Sequence, residues 1–167
     1  MKLTVILGLA LSVDLFLILW AAVGLVQDRR LFTTAPKDIQ QKAQDHPERF
    51  RWQKKIGWIL LLIFAALYVG IYLYGAYDGI RSDFGFWQFF IRFLIMSYLL
   101  KTFDIIVFDW YLLTKSRFFQ HYYPETEGCQ GYHSFGFNRK EQLTRIVLYP
   151  FFCAFLSLIC VLIEAHL

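Results

Sequence analysis

"FGFWQFFIRFLIMSYLLKTFDIIVFDWYLL", residues 84 to 113, is the stretch whose reading decides the fold. It is long enough to cross a bilayer, which takes ~20 residues. Yet it holds Arg92, Lys101, Asp104 and Asp109. In lipid every backbone N–H and C=O needs an internal partner, so a run inside the membrane is a helix. Counted from Phe84 at ~1.5 Å per residue, Arg92 lies roughly 12 Å deep and Lys101 roughly 26 Å. Asp104 falls at roughly 30 Å and Asp109 at roughly 38 Å. The hydrocarbon core is about 30 Å thick, so Arg92 and Lys101 lie inside it. Asp104 sits at its inner boundary, and Asp109 reaches the head groups.

Composition supports a membrane setting for this run. The 167 residues are 57% hydrophobic and only 18% charged. Soluble domains average about 45–50% and about 25%. The apolar residues gather in long runs, at 3–26, 56–77 and 143–167 beside 84–113. The sequence therefore predicts an all-α polytopic membrane protein, a bundle of four transmembrane helices forming one domain over 1–167. The first run is too long for the ~7–15-residue core of a cleaved signal peptide and reads as a retained anchor. Pro150 in the fourth run predicts a kink in its first turns, because proline removes a donor and clashes one turn back.

Lys and Arg set the expected orientation. The connection 27–55 holds eight of them, the short link after the second span holds only Arg81, and Thr114 to Arg145 holds five. Positive loops stay in the cytoplasm. Both large connections, 27–55 and 114–142, are thus expected inside and both termini outside. Trp52, Trp58 and Trp110 then mark the inner interface, and Tyr77 and Trp87 the outer one. The formal charge of +4 follows this pattern, and no nucleic-acid partner is expected. Small size and compact loops suggest a bacterial plasma membrane.

Four ionisable groups form a candidate intramembrane network: Asp14, Arg92, Lys101 and Glu164. A lone carboxylate at a helix centre costs about 2.5–3.5 kcal/mol, so Asp14 calls for a partner. Lys101 is the expected one, with Asp104 three residues on making a triad. Arg92 projects away from Lys101, and Glu164 is its expected partner, with Asp78 or Asp83 behind it.

The connections carry the other candidates. In 27–55, Thr34 as N-cap, Pro36 and Asp38 in the first turn and Pro47 as a stop predict a short cytoplasmic helix. His46 reads as a solvated loop residue. The connection 114–142 is rich in aromatics, which predicts an ordered loop. It holds His121, Glu125, Glu127, Cys129 and His133 within thirteen residues. Asn138 with Glu141 resembles a capping box at the start of the fourth span. Asp104, Asp109, His121, Glu125, Glu127 and His133 converge on the inner face and form the candidate ligand site. Asp104 and Asp109 are five apart, about 140° around an α-helix, so they do not share a metal face. The spacing of His121, Cys129 and His133 matches no zinc signature, and neither metal nor cofactor is expected. Cys153 and Cys160, seven apart, read as small packing residues, and three cysteines give no disulfide framework.

No phosphate loop, nucleophile elbow, CxxC pair or HExxH motif is present. The expected function is therefore a binding or accessory membrane protein, with lipid bilayer, a protein partner or a second copy as its contacts. One alternative is a membrane enzyme acting on a lipid-like substrate with the inner-face acids and histidines. Another is a small transporter or channel using Asp14, Lys101 and Arg92.

Overall fold

The computed structural model describes residues 1–32 and 35–166, and among these the regular elements are all helical. Helix α1 (Lys2–Trp20) continues in π-helical form over Ala21–Val26. Short α2 (Lys37–Lys42) precedes the long α3 (Gln53–Arg81). Helix α4 (Phe86–Phe103) continues in π-helical form over Asp104–Lys115. Short α5 (Phe118–Tyr122) and long α6 (Arg139–Glu164) complete the chain. Thr34, the expected N-cap, lies outside the described residues.

Among the described residues three helices are long and apolar enough to cross a membrane: Lys2–Val26, Gln53–Arg81 and Arg139–Glu164. The expectation from sequence was four. The α-helical part of the third run, Phe86–Phe103, has 18 residues and includes Gln88, Arg92, Ser97 and Lys101. Those polar side chains dilute its hydropathy, and the apolar stretch beyond it leaves the α-helical path at Asp104.

Helical backbone runs through Pro150 from Arg139 to Glu164. Proline has no N–H, so the carbonyl one turn earlier, on Ile146, loses its normal donor. The Tyr98 hydroxyl donates to that carbonyl at 3.3 Å.

The chain divides into two compact units. The first comprises Met1–Asp14, Ala66–Thr102 and Lys140–Leu167. Here α3 and α4 form a helical hairpin. Its turn places Asp83 at φ 52°, and the Phe84 N–H reaches back to the Gly79 carbonyl at 3.1 Å. Gly79 is required because a Cβ there would collide with the ring of Phe89. Phe89 is fully buried and stacks on Phe93 with centroids 6.2 Å apart. Burying one such ring contributes about 1.5–3 kcal/mol.

The second unit comprises Leu15–Ala65 and Phe103–Arg139. Its core is Val23, Ile39, Ala43, Leu113, Tyr123, Cys129 and Tyr132. The two polar connections, separate in sequence, thus fold onto one another. The Asp38 carboxylate accepts from the Gly131 N–H at 2.7 Å. A Cβ at Gly131 would stand 2.5 Å from Asp38 Oδ1 and 2.6 Å from Pro36 Cβ, so only glycine permits this approach. Helix α2 stops at Lys42 rather than at Pro47, because Ala43 turns extended (φ −60°, ψ 133°) and buries its methyl in the core.

Two buried glutamines join the ends of the long helices. Gln27, left-handed at φ 51°, ends the π segment. Its Oε1 accepts from Gln53 Nε2 at 3.1 Å, and its own amide donates to the Tyr122 carbonyl at 3.3 Å. Gln53 Nε2 also donates to the Leu25 carbonyl at 3.0 Å, and Gln53 Oε1 accepts from Arg49 N–H at 2.9 Å. Buried amides are retained only when satisfied in this way.

Candidate functional site

His121, Glu127 and His133 are exposed. Among the described residues no three of His, Cys, Asp and Glu come together as metal ligands. Glu125 is committed to structure: it accepts from the Gln44 N–H at 2.9 Å and pairs with His46 Nε2 at 3.2 Å. His46 is therefore not a free loop histidine, and its ring packs edge-on against Tyr123 at 5.2 Å. His121 stands edge-on to Tyr122 at 4.9 Å.

The π form of Asp104–Lys115 changes the geometry of the two aspartates. Its hydrogen bonds run i→i+5, which widens each turn beyond that of an α-helix. Asp104 and Asp109 consequently lie closer together around the axis than the about 140° of an α-helix. Asp109 accepts from Asn138 Nδ2 at 3.2 Å. That contact replaces the expected capping box, since Asn138 Oδ1 is buried with no hydrogen-bond partner.

The core of the second unit holds two phenols in their neutral form. Burial pushes Tyr132 up to about 12, partly offset by its hydrogen bond with Thr126 at 2.6 Å. Burial, reinforced by the charge of Glu125, also raises Tyr123.

In the first unit Arg92 is 4% exposed and pairs with Asp78 at 2.8 Å, not with Glu164. The same Nη1 donates to the Gly75 carbonyl at 2.7 Å, and the guanidinium lies 4.3 Å from the Phe84 ring. Asp78 wins because it is on the neighbouring arm of the same hairpin, one turn beyond Gly75. Glu164 is half-buried near the end of α6. Lys101 is 3% exposed. Asp14 is 2% exposed, and neither of its carboxylate oxygens accepts a hydrogen bond, so the expected bond from Lys101 is not made.

Sequence reasoning missed the cavity that the first unit builds. A cleft of about 330 Å³ opens between Tyr68, Val69, Tyr72 and Leu73 of α3, Ser97 and Leu100 of α4, and Tyr149, Phe152 and Leu156 of α6. Tyr72 meets the Ser97 hydroxyl at 3.2 Å, and Ser97 meets the Cys153 thiol at 3.7 Å. The only signal for it in sequence is Tyr68 and Tyr72, four apart on one helix face.

No family model, no curated protein and no solved structure matches this chain. The class rests on the fold itself: a small all-helical protein with three helices long and apolar enough to cross a membrane.

Proposed function

We propose that this chain is a four-span membrane protein that binds rather than catalyses, serving as a binding or accessory subunit in a cell membrane. The observation that carries this reading is the use made of the polar groups. Glu125 and Asp38 are spent on holding the two connections together, Asp109 bonds Asn138, and His121, Glu127 and His133 stand apart in the open. An enzyme needs a nucleophile or acid–base pair within hydrogen-bond reach of one reacting atom. The transport alternative draws on Asp14, which has no hydrogen-bond partner, on Arg92, which is tied to Asp78, and on buried Lys101.

The third span is α4 with its π extension. Its polarity favours a place inside the bundle: Arg92, Ser97 and Lys101 are buried, so lipid need not solvate them. Positive charge in both connections favours a cytoplasmic location for the second unit and an external one for both termini. Exposed Trp52, Trp58 and Trp110 fit the inner interface, and exposed Tyr77 and Trp87 the outer one.

Two measurements test this. A cysteine at Lys42, in a background without reactive thiols, resists an impermeant thiol reagent added to intact cells; labelling there overturns the orientation. Native mass spectrometry of the purified chain shows a retained lipid, a partner subunit or a second copy. A bare monomer, or conversion of added lipid to products, overturns the binding reading.

A further inference from the structure

We propose that Arg51, Trp52 and Lys55, at the start of α3, form a site for the head group of an anionic phospholipid. The site deepens the binding role proposed above and rests on its membrane reading. Three observations carry it.

The first is strain without burial. Trp52 has φ 76°, in the left-handed region. Glycine adopts that region freely, whereas a bulky side chain there is an outlier. The turn itself has a structural cause. Gln53 is fully buried, and its Oε1 takes the Arg49 N–H at 2.9 Å, which draws the chain round on itself. Glycine at 52 would make that turn without strain. Tryptophan stands there instead, although its side chain is 50% exposed and adds little to the core. Strained residues of this kind gather at ligand sites, so the use of the ring lies outside the chain.

The second is charge. The Lys55 ammonium lies 4.4 Å from the Trp52 ring centre, and the Arg51 guanidinium 5.6 Å from it. Two cations thus share one exposed indole. Neither is in an ion pair among the described residues. Glu48, the nearest carboxylate in sequence, is turned to the backbone and accepts from the Lys54 N–H at 3.2 Å. Like charges gathered on one ring repel, and an anion between them removes the repulsion. A phosphate fits best, because a guanidinium pairs with its oxygens through two parallel N–H groups.

The third is depth. At ~1.5 Å per residue α3 is about 43 Å long, so a centred helix overhangs a ~30 Å core by about 6–7 Å at each end. Trp52 precedes its first residue, Gln53, and therefore lies in the head-group layer. Exposed Ile56, Ile59 and Ile63 follow on one face of the helix and lead from the cations into the hydrocarbon. They offer a track for an acyl chain. A phosphate at the cations with a chain along the isoleucines is a phospholipid rather than a soluble anion. A zwitterionic lipid brings its own cation to the site, so the favoured head is net negative, as in phosphatidylglycerol.

The test is native mass spectrometry of the full chain, titrated in detergent with phosphatidylglycerol or with phosphatidylcholine of the same acyl chains. Expected is a first phosphatidylglycerol bound about tenfold more tightly than phosphatidylcholine. Arg51→Gln with Lys55→Gln erases the preference. Trp52→Gly erases it too, while its unfolding midpoint stays level or rises as strain is relieved. Lys37→Gln with Lys42→Gln, in the same connection, leaves it intact. No preference in the parent, or an equal loss from the Lys37 and Lys42 changes, overturns the site. A Trp52→Gly chain that keeps the preference and unfolds earlier assigns the ring to the fold and overturns its role. Displacement of phosphatidylglycerol by inorganic phosphate at matched concentration overturns the lipid. Flotation with phosphatidylcholine vesicles after an alkaline carbonate wash separates the two readings. A chain that floats without a preference for phosphatidylglycerol refutes the site alone, and a chain stripped from the vesicles refutes the membrane reading beneath it.

Discussion

The Tyr98 hydroxyl donates to the carbonyl of Ile146, the group that Pro150 leaves without a backbone donor. One side chain on α4 thus repairs a defect in α6. A hydrogen bond of this kind contributes about 0.5–1.5 kcal/mol. Tyr98→Phe is expected to lower stability by about 1 kcal/mol in detergent unfolding. In a Pro150→Ala background, which restores an N–H, the same change costs much less. Equal costs in both backgrounds would show that the bond is idle.

Asp78 and Arg92 form a pair with one buried and one part-exposed member, 4% and 30% for their side chains. Asp78→Ala leaves the guanidinium with the Gly75 carbonyl alone. Breaking a buried pair costs about 3–5 kcal/mol, and partial exposure of Asp78 places this one at the low end or below. The double change Arg92→Met with Asp78→Leu recovers most of the loss. If the double variant is as unstable as Asp78→Ala, the charge is not the reason.

Asp14 is an unsatisfied buried acid, and such groups cost about 1–3 kcal/mol. Asp14→Leu is expected to raise the unfolding midpoint. A gain in stability with loss of function in vivo would mark the residue as functional, since strained groups persist where they are used. A loss of stability would mean that Asp14 holds the bundle together.

Gly131→Ala inserts a methyl into Asp38 and Pro36. Overpacking of this kind costs about 1–3 kcal/mol, and the strain falls where the two connections dock. Limited proteolysis should then cut within 114–142, a segment resistant in the parent. Unchanged cleavage would show that the docking tolerates the extra carbon.

Alkaline pH offers a further check. Tyr132 has an ordinary value of 10.0 and is pushed up to about 12 in the folded chain. A raised phenol binds its proton more tightly when folded, so its contribution is intact below pH 10 and declines as pH rises through about 12. Tyrosinate absorbance should show this phenol ionising late, and Tyr132→Phe should remove that component and flatten the stability decline. An unaltered titration would place the late phenol elsewhere.

The sequence by itself determined the helical class and the apolar runs, because both depend on local composition. Runs of Leu, Ile and Phe without breakers are helices in lipid whatever their neighbours. It also identified the anomalous charges, since the cost of burying Arg92 or Asp14 is a property of the side chain. Partners were a different matter. Arg92 pairs with Asp78 on its own hairpin rather than with Glu164, and Glu125 is taken by His46 from the other connection.

The tertiary structure alone decided three things. It turned Asp104–Lys115 into a π-helix, which brought Asp104 and Asp109 closer around the axis than an α-helix would. It joined two polar connections around Tyr123, Tyr132 and Ile39, where sequence showed two independent loops. And it opened the cleft between Tyr68, Tyr72, Ser97 and Tyr149, whose residues lie on three helices. Local periodicity fixes which face of a helix is apolar. Which faces meet, and where a gap is left between them, depends on contacts between residues tens of positions apart, and no local pattern carries that information.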